Sequence, residues 1–178
     1  MDIQIFFNRI LDNKLINVQL NTDFFEFRKH NDLTGVKIIY TGPIDSYYSN
    51  CGFEKLEYRS INFHKQVVNN CHFYQPNSVV NYPSYDVPYT RIVEYKHFLN
   101  QQSKDSVIVC ETTTDEGEPY YPVLNDRNLE LYKKYKDMAD KEKNVLFVGR
   151  LANYKYFNMD QAIHNALNIF KNIIEPTY

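Results

Sequence analysis

Apolar residues recur at helical spacing at the start of the chain. Ile3, Phe6, Phe7, Ile10 and Leu11 form one stripe, which predicts a short helix. Leu15–Leu20 then alternates like a strand, and Val36–Tyr40 is a β-branched run closed by the turn residues Thr41-Gly42-Pro43. Leu56–Phe63 alternates again. It puts Leu56, Tyr58, Ser60 and Asn62 on one face and Glu57, Arg59, Ile61 and Phe63 on the other. Further strands are expected at Ser78–Tyr82, Arg91–Phe98 and Ser106–Thr112. Glu118-Pro119-Tyr120-Tyr121-Pro122 is neither central strand nor helix interior, because both prolines lack a backbone donor.

A polar helix is expected from Asp126 to Lys141, with Leu129, Tyr132, Lys133 and Met138 near helical spacing. Asn144–Val148 follows as a short strand ending in Gly149. The last helix has the clearest signature. Asn158 suits its N-cap, Gln161 three residues on completes a capping box, and Ile163, Ala166, Leu167, Phe170, Ile173 and Ile174 form its stripe. Strands outnumber helices. The pattern therefore reads as an α+β fold, a mixed or antiparallel sheet with flanking helices, in a single domain over residues 1–178.

Composition narrows the classes. The chain has 178 residues, 43% hydrophobic and 24% charged, which excludes a disordered tail, a collagen-like rod and a membrane bundle. No apolar run approaches the roughly 20 residues that span a bilayer. The net charge of −2 argues against nucleic-acid or anionic-membrane partners, which select for a basic excess. Met1-Asp2-Ile3-Gln4 lacks the basic and apolar regions of a secretory leader. Cys51, Cys71 and Cys110 are odd in number and make no CxxC, so reduced thiols in an intracellular, cytoplasmic protein are expected. The 16 tyrosines and 12 phenylalanines suit either a core or a polar pocket.

Several chemistries lack their motifs. The five glycines form no GxGxxG or Walker loop, the five histidines form no HxH or HExxH, and no GxSxG occurs. No metal site is expected. Three segments join cations to tyrosines: Tyr58-Arg59-Ser60, Pro88-Tyr89-Thr90-Arg91 and Tyr154-Lys155-Tyr156. Guanidinium forks match phosphate oxygens and phenols add neutral donors, so together they would suit a diphosphate. Taken singly, such segments are more often surface ion pairs and core tyrosines. Phe147-Val148-Gly149-Arg150 ends a strand shortly before the last helix, whose N-terminus offers free N–H groups to an anionic or carbonyl-bearing ligand.

Five segments in order carry a resemblance: YTGPIDSYY (Tyr40–Tyr48), KLEYRSINF (Lys55–Phe63), VVNYPSYDVPYTRIVEYKHF (Val79–Phe98), EPYYPVLND (Glu118–Asp126) and FVGRLANYKYFNMDQAI (Phe147–Ile163). Together they resemble the C-terminal portion of the prokaryotic-type UDP-galactopyranose mutase family, from about Asn21 onward. The resemblance implies a flavoprotein that interconverts UDP-galactopyranose and UDP-galactofuranose. In that family reduced FAD attacks the anomeric carbon through its N5, displaces UDP and gives a sugar–flavin adduct. The cofactor carries the covalent step and the protein positions and stabilises charge.

The motif matches imply roles at particular positions. Arg91, in PYTR, matches the family's essential catalytic arginine near the substrate diphosphate, and Arg59, in EYRS, matches another substrate-side arginine. Asn81, Tyr121 and Tyr156 match contacts to UDP-galactose. Gly149 and Arg150, with Phe157, Asn158, Met159, Asp160 and Gln161, match the segment that wraps the flavin and opens the last helix. Asp23 and Phe24 match an FAD-contacting strand end.

This sequence departs from the family at Asn158, where aspartate is usual, and at Phe157, where tyrosine is usual. The family's GxGxxG portion, its mobile lid and its uridine-stacking residues have no counterpart in these 178 residues. The chain is therefore expected to hold an incomplete FAD site. Two readings follow. It is a fragment or split subunit that works with an N-terminal FAD-binding partner chain, or it is a non-catalytic homologue that binds a nucleotide-sugar or a protein, with homo-oligomers expected where the missing part would sit.

Overall fold

The computed structural model describes residues 3–99 and 101–177; Met1 and Asp2, part of the start expected to lack a secretory leader, lie outside them. In chain order come α1 (Ile3–Leu11), α2 (Phe24–His30), β1 (Ile38–Tyr40), α3 (Ile44–Tyr47), β2 (Tyr58–Val68), β3 (Val79–Asn81), β4 (Arg91–Glu94), α4 (Lys96–Leu99), β5 (Ser106–Thr114), β6 (Tyr121–Pro122), α5 (Asp126–Ala139), β7 (Val145–Phe147) and α6 (Met159–Ile169). A π-helical turn, Phe170–Ile174, continues α6. The expected α+β class is found: antiparallel pairing dominates, beside a separate parallel pair, β1–β7. Among the described residues no helix is long and apolar enough to cross a membrane. The chain divides into two compact units, one of residues 1–34 with 63–112 and one of 35–62 with 113–178.

In the first unit β4 lies between β3 and β5, antiparallel to both. Ile92, Ile108 and Cys110 form its core, with Val68, Tyr82 and Tyr89 packed against them. The strand expected at Arg91–Phe98 stops at Glu94, and Lys96–Leu99 turns into α4. Buried polar groups explain the break. Glu94 is fully buried, and its carboxylate accepts from the N–H groups of Tyr74 (3.0 Å) and Gln75 (3.1 Å), from the Ser106 hydroxyl, and pairs with His97 Nε2 at 3.1 Å. Lys96 is buried too, and its ammonium donates to the carbonyls of His72, Ser103 and Asp105. Extended backbone would carry these side chains away from the segment they tie down.

Burial would raise the Glu94 carboxyl, but the Ser106, Tyr74, Gln75 and His97 bonds outweigh it and hold its pKa below the ordinary glutamate value of 4.5. Its contribution to stability is therefore present above pH 4.5 and is lost as pH falls through the lower folded value. Glu94→Ala, which strands those donors, is expected to cost about 3 kcal/mol in urea unfolding. Glu94→Gln should flatten the acid side of the stability–pH curve. Unchanged curves for both variants would remove the carboxylate from this role.

Two further expectations are corrected in this unit. Leu15–Leu20 is not a strand; among the described residues it pairs with no other strand, and Leu15 is 86% exposed. Alternation alone does not make a strand without a neighbour to supply hydrogen bonds. Asp23 and Phe24 do not end a strand. Asp23 is the N-cap of α2, its carboxylate accepting from the Glu26 N–H at 2.9 Å, and Phe24 opens the helix. The Asp-x-x-Glu spacing at 23–26 is the helix-start signal that the reading passed over. α1 forms as expected, yet none of its residues is buried.

In the second unit β1 and β7 pair in parallel, Ile38 to Val145 through Tyr40 to Phe147. The core is aromatic: Ile44, Leu56, Leu131, Tyr135 and Tyr154 are buried, with Tyr48, Tyr58, Tyr132 and Phe147 against them. α5 is capped by Asn125, which accepts from the Asn128 N–H at 2.8 Å. Its buried face is Asn128, Leu131 and Tyr135, not the stripe expected through Leu129, which is exposed. The short α3 was not foreseen. It brings Asp45 to accept from the Leu56 N–H (3.3 Å) and the Tyr58 hydroxyl (3.1 Å).

The Tyr154 hydroxyl donates to the Glu57 carbonyl (2.6 Å) and accepts from the Val123 N–H (3.2 Å), fastening the start of β2 to the segment before α5. Burial pushes its pKa up to about 12. Tyr154→Phe keeps the ring and removes the phenol from both backbone groups, which remain bonded to each other (Val123 N–H to the Glu57 carbonyl, 3.1 Å). The expected loss is about 1 kcal/mol, read as a lower urea midpoint at unchanged slope.

Candidate functional site

Strand register brings Asn81 and Arg91 together in the first unit and Arg59 and Tyr121 together in the second. In the first unit, strand register does the gathering. Asn81 on β3 stands directly opposite Arg91 on β4, and Arg91 stands opposite Glu111 on β5. Directly opposed residues share a face of the sheet. Arg91 Nε donates to Glu111 Oε2 at 2.5 Å, with Arg91 half-exposed and the Glu111 side chain buried. Thr90 supports the same point, since its N–H (2.9 Å) and hydroxyl (3.1 Å) donate to the Glu111 carbonyl. A buried carboxylate on Nε fixes the plane of the half-exposed guanidinium. Asn81 beside it is exposed.

Glu111 was not foreseen. Its signal was available, because it is the only charged residue in the β5 run SVIVCETTT. Asp23 and Phe24 lie in this unit as the start of α2.

In the second unit, register pairs Arg59 on β2 with Tyr121 on β6. The Tyr121 ring stacks on Tyr156, centroids 5.8 Å apart and planes 11° from parallel. The Arg150 guanidinium lies over both rings, 5.1 Å and 4.5 Å from their centroids. Arg150 also donates to the Phe157 carbonyl from Nε (3.2 Å) and Nη2 (2.7 Å), and to the Tyr120 carbonyl from Nη1 (3.2 Å). It therefore braces both the β6 approach and the entry to α6. Gly149 has φ +103°, a conformation that favours glycine. That turn lets its N–H reach Asn153 Oδ1 at 3.0 Å.

At α6, Asn158 is the N-cap and its N–H donates to Gln161 Oε1 at 2.8 Å. Asparagine thus fills the capping role open to the family's aspartate. Met159, Asp160 and Gln161 are exposed around this helix start. The tyrosines of the three motif segments separate: Tyr58 and Tyr154 serve the core, while Tyr156 belongs to the exposed cluster.

A cleft of about 790 Å³ opens in this unit, lined among others by Lys55, Tyr58, Arg59, Ser60, Asp115 and Gly117. Its size suits a small-molecule ligand. Asp45 and Glu57 at its wall are already engaged, by Leu56 with Tyr58 and by Arg127 with Asn128. Neither Lys55 nor Arg59 has an ion-pair partner among the described residues, which leaves two cations against Asp115. Such a lining favours an anionic ligand. Among the described residues no three His, Cys, Asp or Glu side chains gather as a metal set. Cys51 and Cys71 are half-buried, Cys110 is buried, and all three are free thiols.

Guanidinium groups set among stacked phenols are chemistry suited to phosphorylated, ring-bearing ligands. Comparison with known sequences makes this specific. The UDP-galactopyranose mutase family model matches residues 4–156. Curated relatives include a "Probable UDP-galactopyranose mutase" of Klebsiella pneumoniae, 38% identical over 162 residues, 89% of this chain and 41% of the relative. A UDP-galactopyranose mutase of Mycoplasma genitalium is 39% identical over 173 residues, 88% and 42% of the two chains. A dTDP-fucopyranose mutase of Escherichia coli is 37% identical over 134 residues, 73% and 35%. The chain belongs to the UDP-galactopyranose mutase family. It spans less than half the length of these relatives.

Proposed function

We propose that residues 1–178 act as one domain of a flavin-dependent mutase that interconverts UDP-galactopyranose and UDP-galactofuranose, completed by an FAD-binding portion outside this sequence. Family membership is one support. The observation that carries the reading is the register that sets Arg59 against Tyr121, with Tyr156 and Arg150 stacked beside it. Side chains distant in sequence meet there as cation and phenol.

Reduced FAD, when bound, supplies the electron-rich centre for the covalent step. The residues present fit one side of such a group. Gly149, Arg150 and Phe157 to Gln161 offer a left-handed turn, a braced guanidinium and a helix start, and the phosphate cradle is not among these 178 residues. In the second unit Arg59 suits a diphosphate, with Tyr121 and Tyr156 as neutral donors; in the first, the Glu111-anchored Arg91 and Asn81 are the positions the family motifs assign to the nucleotide-sugar. The thiols suit a cytoplasmic setting, where they stay reduced.

The test is titration calorimetry of the chain with UDP, with dTDP alongside because relatives of both nucleotide types match, followed by a mutase assay after adding an FAD-binding portion. Binding of UDP that weakens about tenfold in Arg59→Ala, together with restored turnover, is the expected result. A second reading rests on the cleft lined by Lys55 and Arg59: a non-catalytic homologue that binds nucleotide-sugars or associates with itself or another protein. Binding of UDP without any restorable turnover selects that reading. A chain that binds neither nucleotide and stays monomeric rejects both.

A further inference from the structure

The buried hydroxyl of Tyr154 donates to the Glu57 carbonyl (2.6 Å) and accepts from the Val123 N–H (3.2 Å). Each of these positions stands next but one to a member of the exposed cation and phenol cluster. Glu57 lies two residues before Arg59, Val123 two residues after Tyr121, and Tyr154 itself two residues before Tyr156. Two residues of extended backbone measure about 7 Å, a short and stiff lever. One phenol thus ties together the three segments that carry Arg59, Tyr121 and Tyr156, all within the second unit.

The backbone at Tyr154 is a second, independent sign. Its φ is +43°, in the left-handed region that a residue with a Cβ rarely occupies. Glycine would fit that conformation without strain. The turn that Tyr154 ends is closed by the Asn153 N–H to the Gly149 carbonyl (2.9 Å) and the Lys155 N–H to the Arg150 carbonyl (3.0 Å). A tyrosine is held in this place by its side chain. The ring meets Tyr58 edge-on at 5.3 Å and stacks on Tyr132 at 5.8 Å, and the hydroxyl makes its two backbone bonds. Strain persists where the surroundings over-determine a conformation, and such positions cluster at functional sites. Beyond the turn Tyr156 leaves the core, stands 49% exposed, and stacks on Tyr121 beneath Arg150.

We infer that Tyr154 is a positioning residue for the nucleotide-sugar site: its buried phenol and left-handed backbone fix the spacing of Arg59, Tyr121 and Tyr156 before any ligand arrives. It touches no ligand itself. This rests on the function proposed above and deepens it by naming the group that holds the others in place. Groups set in advance lose less freedom on binding, so loosening them weakens affinity even where the fold survives. A residue that only stabilised the core would shift the unfolding midpoint and leave the affinity of the folded chain unchanged.

The experiment combines crystal structures of the wild-type chain and Tyr154→Phe with UDP titration calorimetry, run where circular dichroism shows each variant fully folded. In Tyr154→Phe the Tyr156 ring is expected to move beyond about 7 Å from Tyr121, outside the range of an aromatic pair. The Kd for UDP should rise about tenfold. In the Arg59→Ala background the same substitution should weaken binding by less than about twofold, because the group it positions is gone. Tyr154→Gly suits the left-handed backbone and removes the phenol, so it separates the turn from the side chain. It should bind UDP at least as weakly as Tyr154→Phe.

A Tyr154→Phe structure that keeps the Tyr121–Tyr156 stack overturns the inference, as does a folded Tyr154→Phe chain that binds UDP as the wild type does. Wild-type affinity in Tyr154→Gly also overturns it, by giving the placement to the turn alone. Equal losses from Tyr154→Phe with and without Arg59 do the same, since the two residues would then act separately. The structures keep the proposed function apart. A wild-type chain that binds no UDP, with the stack lost in Tyr154→Phe, rejects that function and leaves Tyr154 as the residue that sets the cluster. UDP binding indifferent to both Tyr154 variants does the reverse.

Discussion

Replacing Arg91 with alanine is expected to lower kcat/KM of the completed enzyme by roughly a hundredfold or more, the loss typical of removing a charge stabiliser from a transition state. The expectation joins two independent lines. By its PYTR motif, Arg91 is the proposed match to the family's essential arginine. In the fold it is held by a buried carboxylate at 2.5 Å and set opposite Asn81, proposed as a second substrate-side position. A guanidinium fixed in this way presents its charge without paying ordering entropy when the diphosphate arrives. The control matters, because Arg91→Ala also leaves Glu111 buried without its partner. Arg91→Lys retains a charge but loses the planar fork, so it should hold the fold while recovering only part of the rate. Turnover near the wild-type value in Arg91→Ala, with the melting temperature unchanged, would take Arg91 out of the site.

The second large effect concerns flavin. Purified by itself, the 178-residue chain is expected to retain less than about a tenth of an equivalent of FAD, judged by visible absorbance against protein concentration. FAD affinity in dinucleotide-binding folds leans on a glycine-rich turn that lays the pyrophosphate on a helix N-terminus. No GxGxxG occurs in these residues. What they offer is one side only: the Gly149 turn, the braced Arg150 and the Asn158-capped start of α6. Adding the FAD-binding portion should restore colour and one equivalent of flavin. A yellow protein with stoichiometric FAD in the chain alone would contradict this account.

Much of the fold could be read from local pattern because its signals are local. The Asn158–Gln161 capping box, the β-branched runs around Ile38, Val79 and Val109, and the prolines that confine Tyr121–Pro122 to a two-residue strand each act over a few residues. The misreadings have a common cause. Leu15–Leu20 alternates but finds no neighbouring strand. Arg91–Phe98 looked extended until the buried side chains of Glu94 and Lys96 turned the chain after β4. Asp23 caps α2 because the chain before it forms no strand.

The candidate site divides along the same line. By itself the sequence determined the residue types, the order of the motifs and through them the family: arginines, tyrosines and a capped helix start are properties of the chain as written. Which of these groups meet was decided only in three dimensions. Register put Asn81 across from Arg91 and Arg59 across from Tyr121, and a slip of one residue would have turned each pair to opposite faces. Packing sent Tyr58 and Tyr154 into the core while Tyr156, two positions from Tyr154, stayed outside to stack on Tyr121. Glu111, silent as one acid in a strand, acquired its role only when β5 paired with β4. Long-range pairing of this kind depends on the free energy of the whole fold, which no window of local periodicity contains.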